Sequence, residues 1–417
     1  MQVRGRGVGP VISEQQIGDA LYSHRAVCTI GLVNRLLNRR SSLMEPPAKK
    51  LSITYSLADQ SFARAKSIGI LNVSVGLLQA LATRPECGRL TALSNHSLLE
   101  RFTPPSGTTI EQHDLADDHG PGRVWWDQFG VYSFARRTGN EWLFLPKGFA
   151  SFFRRCPVRL ATFVHDAMQD HYDRHYPHAV PRYEAAYFRA GFRASVRESE
   201  VIFTPSEFTL NEITRVAREK GWRVPRLVCC GEGFERPVTA PTEERRDIVI
   251  PTSRFPHKLT RQAVEFLDRW CRENPFGEQI HWIGSFPEKL EMPSHPGWRR
   301  HTILPEMEFR ALMARARVVV SFSNYEGFGR PPVEAALAGG CPVFSNIPAS
   351  REVMGDCGYS FDNASYESFA AALRQALAVR PEQLQAWADK LAARHNWNIV
   401  ADRVATALSV ASELPRS

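Results

Sequence analysis

From Leu51 onward, short apolar runs alternate with stretches in which apolar residues return every three or four positions. Residues 51–57 (LSITYSL), 158–166 (VRLATFVHD, ending at His165–Asp166), 199–206 and 226–230 (RLVCC, stopped by Gly231) read as buried strands. A loop carrying Gly69, then a helix from Ile70 to Leu81, follows the first of them, and a helix from Thr209 to Lys220 follows the third. The second half is cleaner. Strands are predicted over 247–253, 279–286, 317–323 and 341–345, with helices over Thr260–Cys271, Pro305–Ala316, 331–340, 366–394 and Asn396–Leu414. The run 317–323 (RVVVSFS) is apolar almost throughout, as a strand covered on both faces is. Residues 85–125 are polar and show no period. Strand, loop and helix in repetition predict an α/β chain with a doubly wound parallel sheet in the second half and a less legible version in the first.

Residues 237–247 (PVTAPTEERRD) hold two prolines and a charge run and read as the linker. At 417 residues, two domains are expected. The chain is 43% hydrophobic with a formal charge of +8. That surplus favours anionic partners, but no basic arm or nucleic-acid motif accompanies it, so no nucleic-acid partner is expected. The eight cysteines form no C-x-x-C pair and read as reduced core residues. No apolar stretch is long enough to span a bilayer. Residues 1–49 are arginine-rich and read either as a short amphipathic anchor or as sequence upstream of a true start at Met44.

Candidate chemistry concentrates in 324–346 (NYEGFGRPPVEAALAGGCPVFSN). Glu326 lies in the loop after a predicted strand, and Glu334 in the first turn of the next helix. Ligands of open α/β sheets sit at the carboxyl ends of the strands. Gly327 and Gly329 let the backbone approach a ligand, and the helix start offers N–H groups and a positive dipole end to a diphosphate. A carboxylate in that turn suits the two hydroxyls of a ribose, and one in the loop suits a sugar. The pair His171/His175 invites a metal reading, but it lacks the glutamate of H-E-x-x-H and Pro177 cuts the helix short, so no metal or other cofactor is expected. Trp125, Trp126 and Trp142 are read as core, with stacking on a sugar as the alternative.

The spacing Glu326-x7-Glu334 resembles the E-x7-E motif of family 4 glycosyltransferases, retaining enzymes of the GT-B fold. The flank EGFGRPPVEAALAGGCPV is similar to the EGFG-x-PP-x-EA form of bacterial mannosyltransferase-like members. Residues 162–168 (TFVHDAM), 201–209 (VIFTPSEFT), Arg351–Glu352–Val353 and Trp397 extend the likeness over roughly 50–410. The resemblance implies two facing Rossmann-like domains with an interdomain cleft: an acceptor domain over 50–236, a donor domain over 248–395, and a helix over 396–417 crossing back. It implies that Glu334 binds the donor ribose and Glu326 the transferred hexose, that Lys258 (in RFPHKLT) neutralises the diphosphate, and that His165 contacts the hexose. Gly69, Ser253, Gly327, Phe328, Gly329 and Arg330 then line the donor site. Two departures stand out. Thr252–Ser253 replace the family's glycine and phosphate-binding arginine, with Arg254 just after, and Arg330 replaces an apolar leucine. The implied activity is retaining transfer of a hexose, mannose being the candidate, from a nucleotide sugar to a polysaccharide or glycolipid. The implied setting is the cytoplasm, with room for a peripheral contact at the inner membrane face. The alternatives are a non-catalytic nucleotide-sugar-binding or partner-binding module, and another GT-B enzyme such as an epimerase or phosphorylase.

Overall fold

The computed structural model describes residues 49–61, 68–113, 121–236, 245–287, 290–293, 295–302, 304 and 306–416. The arginine-rich segment before Lys49 and most of the expected linker, 237–244, lie outside them. Among the described residues the strands form two parallel sheets. The first holds β1 (Leu51–Ser56), β2 (Cys87–Ser94), β3 (Thr108–Gln112), β4 (Trp142–Leu145), β5 (Arg159–Phe163), β6 (Val201–Thr204) and β7 (Arg226–Cys229), in the order β3-β2-β1-β4-β5-β6-β7. The second holds β8 (Asp247–Thr252), β9 (Ile280–Gly284), β10 (Trp298–His301), β11 (Ala316–Ser321), β12 (Cys341–Ser345) and β13 (Tyr359–Phe361), in the order β10-β9-β8-β11-β12-β13. Each order reverses once, at β1/β4 and at β8/β11, and such a switch point opens a crevice at the strands' carboxyl ends.

Seven helices position the site: α1 (Ile68–Ala82), α2 (Met168–His175), α3 (Glu207–Glu219), α4 (Thr260–Glu273), α5 (Arg330–Leu337), α6 (Pro348–Met354) and α7 (Trp397–Ser412). Several expectations are corrected. Gly69 is the second residue of α1 rather than part of a loop. Ala316 opens β11 instead of closing a helix. The helical stretch 366–394 is two helices, Tyr366–Leu377 and Pro381–Arg394, because Pro381 cannot continue the first. Ser206 ends no strand; its hydroxyl accepts from Thr209 N (3.1 Å) as the N-cap of α3. Trp126 and Trp142 are 2% and 0% exposed core residues, while Trp125 is exposed.

Helix α7 follows the second sheet yet buries Val400, Ala401, Val404, Ala405, Leu408 and Ala411 in the core of the first. Arg84 pairs with Asp402 at 2.5 Å, and the Trp142 indole donates to Ser412 Oγ at 2.9 Å, fixing its position. Its first residue, Trp397, occupies a slot that only glycine permits. A Cβ on Gly76 of α1, or on Gly233, would stand 2.2 Å from the indole. Gly233→Ala therefore forces a rigid ring to shift and should destabilise the fold by about 2–3 kcal/mol, read as a lower thermal midpoint. Among the described residues no helix is long and apolar enough to cross a membrane.

Candidate functional site

The site forms where the loops after β8 and β11, at the second sheet's switch point, meet the loop after β5 of the first sheet. After β8, Thr260 ties the turn by donating its hydroxyl to the Ser253 carbonyl (2.6 Å) and accepting from Ser253 N (3.2 Å). A short 3₁₀ turn, Pro256–Lys258, then leads through Leu259 at φ +46° into α4. This is the one left-handed residue other than glycine among those described, and its position turns the chain sharply just after Lys258. Lys258 Nζ reaches Glu326 Oε1 at 2.5 Å.

The loop after β11 is braced from both sides. Ser323 N donates to Ser345 Oγ (2.9 Å) and Asn324 N to the His257 carbonyl (2.9 Å). The first half contributes α2: Ala167 N donates to Tyr325 OH (3.2 Å), Asn324 Nδ2 to Tyr176 OH (2.5 Å), and Tyr172 OH meets His257 Nδ1 (2.7 Å). Burial pushes the His257 imidazole down to about 4, so it makes that contact uncharged. His171 stacks on Tyr325 with ring centroids 4.3 Å apart and lies 4.6 Å from His175, so His171 takes part in packing between the halves while His175 stays exposed.

Gly327 is the tightest point. Its carbonyl accepts from Ser206 Oγ and from Thr209 Oγ1 (3.0 Å), and a Cβ there would stand 1.8 Å from the His165 carbonyl oxygen. Gly329 takes φ +89° and ends the loop at the N-cap of α5. Two expectations change here. Glu334 is the fifth residue of α5, one turn in. Pro331 and Pro332 remove two amides from the helix start, leaving fewer donors for an anion than a typical N-terminus has.

Of the residues read from the sequence, Lys258 joins Glu326, Arg330 joins Glu334 (3.1 Å), Gly327 abuts His165, and Gly69 comes within 3.6 Å of Arg330 Cδ, measured from the position its Cβ would take. Arg330 does not point to solvent; it also donates to Glu232 at 2.8 Å. Three residues stand apart. The Arg254 guanidinium is exposed and lies 5.8 Å over the Phe255 ring. The Ser253 hydroxyl is used locally, accepting from Phe255 N (3.3 Å). Phe328 departs from the expected donor contact: its ring is packed in the core between Phe234 and His395, so its side chain anchors the loop.

Burial works to raise the Glu326 carboxyl, but Lys258 outweighs it and holds it below the usual range. Glu232 behaves alike, lowered against burial by His165 and Arg330. Asp166, which caps α2 by accepting from Met168 N (2.9 Å), goes the other way: burial and the nearby Glu326 raise it. Carboxylates and cations alternating beside a glycine loop suit a ligand rich in hydroxyls that carries an anionic group. Sequence reasoning missed Glu232 and gave Glu352 no role. The latter accepts from Glu207 N (2.7 Å) and Phe208 N (2.9 Å), so a residue of α6 caps α3 across the two halves.

Residues 285–393 match the glycosyl transferases group 1 family. Glu326, Arg330, Glu334 and Glu352 fall inside that match; His165, Arg254 and Lys258 fall outside it. The chain is 36% identical over 89 residues to the O-antigen chain mannosyltransferase B of Escherichia coli, a stretch covering 21% of this chain and 23% of that protein. The chain therefore matches less than a quarter of this relative's length. Among solved structures it resembles sucrose-phosphate synthase from Thermosynechococcus elongatus (TM-score 0.62, 13% identity, covering 86% of this chain and 98% of that one). It also resembles the Anabaena protein HepE, solved in complex with UDP and glucose (TM-score 0.59, 15% identity, 86% and 100% covered). These likenesses give the fold as GT-B, two facing Rossmann-like domains.

Proposed function

We propose that this chain is a retaining glycosyltransferase that moves a hexose, with mannose as the candidate, from a nucleoside-diphosphate sugar to a saccharide or lipid-linked saccharide acceptor. The observation that carries the reading is the pairing of both motif carboxylates with cations, Lys258–Glu326 and Arg330–Glu334, at the switch point and against the His165 loop. The group 1 match across this motif, the mannosyltransferase relative and the complex of HepE with UDP and glucose support it.

In this reading Glu334 accepts from the ribose hydroxyls and Glu326 from the hexose, with His165 on the hexose from the first half. As the bond between the anomeric carbon and the phosphate breaks, negative charge grows on the diphosphate. Lys258, already held by Glu326, is the side chain assigned to meet it, with the exposed Arg254 of the same loop as the second cation. Glu326 is already paired with Lys258, which suits it to donor binding rather than to covalent attack. The leaving phosphate is then the base for the acceptor on the same face. With a lipid-linked acceptor, the enzyme works from the cytoplasm against the inner face of the membrane.

The test is release of nucleoside diphosphate from a panel of nucleotide sugars, with and without acceptor, and the anomeric configuration of the product by NMR. Acceptor-dependent release with retention supports the reading. Tight donor binding without release under any condition would instead mark a nucleotide-sugar-binding module.

A further inference from the structure

Glu326 is held by one lysine, but the cation that holds Glu334 belongs to a longer chain of contacts. Arg330 Nε donates to Glu334 at 3.1 Å and Arg330 Nη1 to Glu232 at 2.8 Å. The other oxygen of Glu232 lies 3.9 Å from His165 Nδ1, and His165 Nε2 sits 2.8 Å from the Pro146 carbonyl. A carbonyl only accepts, so Nε2 donates to it and fixes the ring with Nδ1 facing Glu232, an electrostatic contact that needs a proton on Nδ1 as well. Glu232 lies just after β7, where the chain leaves the first sheet; two residues on, Phe234 N bonds the His395 carbonyl (3.1 Å). The guanidinium is stacked 4.1 Å over the Phe234 ring, with the first turn of α1 at Gly69 close to its stem. It is thereby confined to one orientation, unlike a surface arginine in an i,i+4 pair.

We propose that Arg330 is the positioning residue of the donor site, setting Glu334 directly and His165 through Glu232. One guanidinium then aligns the ribose contact of the second half with the hexose contact of the first. The inference rests on the functional reading above. It depends on a property of arginine that lysine lacks: separate N–H groups at a fixed angle, able to hold two carboxylates at once. The family resembled has leucine here, so this alignment belongs to the chain rather than to the motif.

The test compares Arg330→Lys, Glu232→Gln and the double variant for thermal midpoint, donor KM and kcat, using the nucleotide sugar that the parent turns over. Arg330→Lys keeps a charge in place and should fold with a midpoint near that of the parent. Its kcat/KM should still fall by about 10- to 100-fold, with donor KM raised. Glu232→Gln should show a similar loss, and the double variant should be no worse than the worse single one, because both interrupt the same chain. A merely structural arginine would lower the midpoint and leave donor KM unchanged. A folded Arg330→Lys with the parent's KM and kcat, or losses that multiply in the double variant, overturns the inference. A parent protein without turnover on any nucleotide sugar overturns the functional reading, and this inference falls with it.

Discussion

Replacing Lys258 with methionine should lower transfer by about 10²–10³-fold and invert the way stability responds to pH. The first effect follows from removing the cation assigned to the leaving diphosphate. The second follows from Glu326. In the parent its folded-state carboxyl lies below the ordinary value of 4.5, so the pair contributes stability above that pH and loses it as pH falls through the folded value. Without Lys258, burial, the largest influence on this carboxyl, is left to raise it, with the Ser323 hydroxyl in opposition and His257 uncharged above about pH 4. Stability is then lost as pH rises past about 4.5, because folding must keep an uncompensated charge buried. The expected cost near neutral pH is about 2–3 kcal/mol, below that of a fully buried pair because Lys258 is 27% exposed. Thermal midpoints at about pH 5 and about pH 8 read the difference directly. A variant with the parent's pH dependence would mean that Glu326 is balanced by something other than Lys258.

Gly327→Ala is expected to have the second large effect. Its Cβ would stand 1.8 Å from the His165 carbonyl oxygen and 3.0 Å from Asp166 Cβ, and backbone cannot yield as a flexible side chain can. The loop after β11 must move away from the loop after β5, stretching the bonds from Ser206 and Thr209 to the Gly327 carbonyl. A displacement of about 1 Å between the loops proposed to hold the donor from opposite sides should cost at least ~10²-fold in kcat/KM. The same strain should cost about 2–4 kcal/mol of stability. Steady-state kinetics with a melting curve check both. Full activity in the alanine variant would show that these loops need not touch for transfer.

What was legible in the sequence follows burial. β11 and β12 are covered on both faces and announce themselves as apolar runs. β3 (TTIEQ) and β10 (WRRH) are edge strands whose exposed positions carry polar and charged residues, so they leave no such run. β2 opens with a partly exposed Cys87-Gly88-Arg89, which interrupts its apolar run. The candidate site divides in the same way. Glu326 and Glu334 share one strand–loop–helix unit, and their spacing was visible. Glu232 meets Arg330 across 98 residues and Glu352 meets Glu207 across 145, contacts that no local pattern records. Nor does periodicity reveal that the Phe328 ring turns into the core while Arg330, at a position the family keeps apolar, is drawn into an ion pair.

The central claim is that the Glu326–Glu334 loop holds a nucleotide sugar. The most direct measurement is a thermal-shift screen of the protein against UDP-, GDP-, ADP- and dTDP-sugars, with Glu334→Ala in parallel. A ligand that binds only the folded state stabilises it by about 2.7 kcal/mol at a hundredfold excess over its Kd. The account predicts a rise in midpoint with one nucleotide family, abolished in a Glu334→Ala protein that remains folded. A shift that survives in Glu334→Ala, or no shift with any of the four, would contradict it.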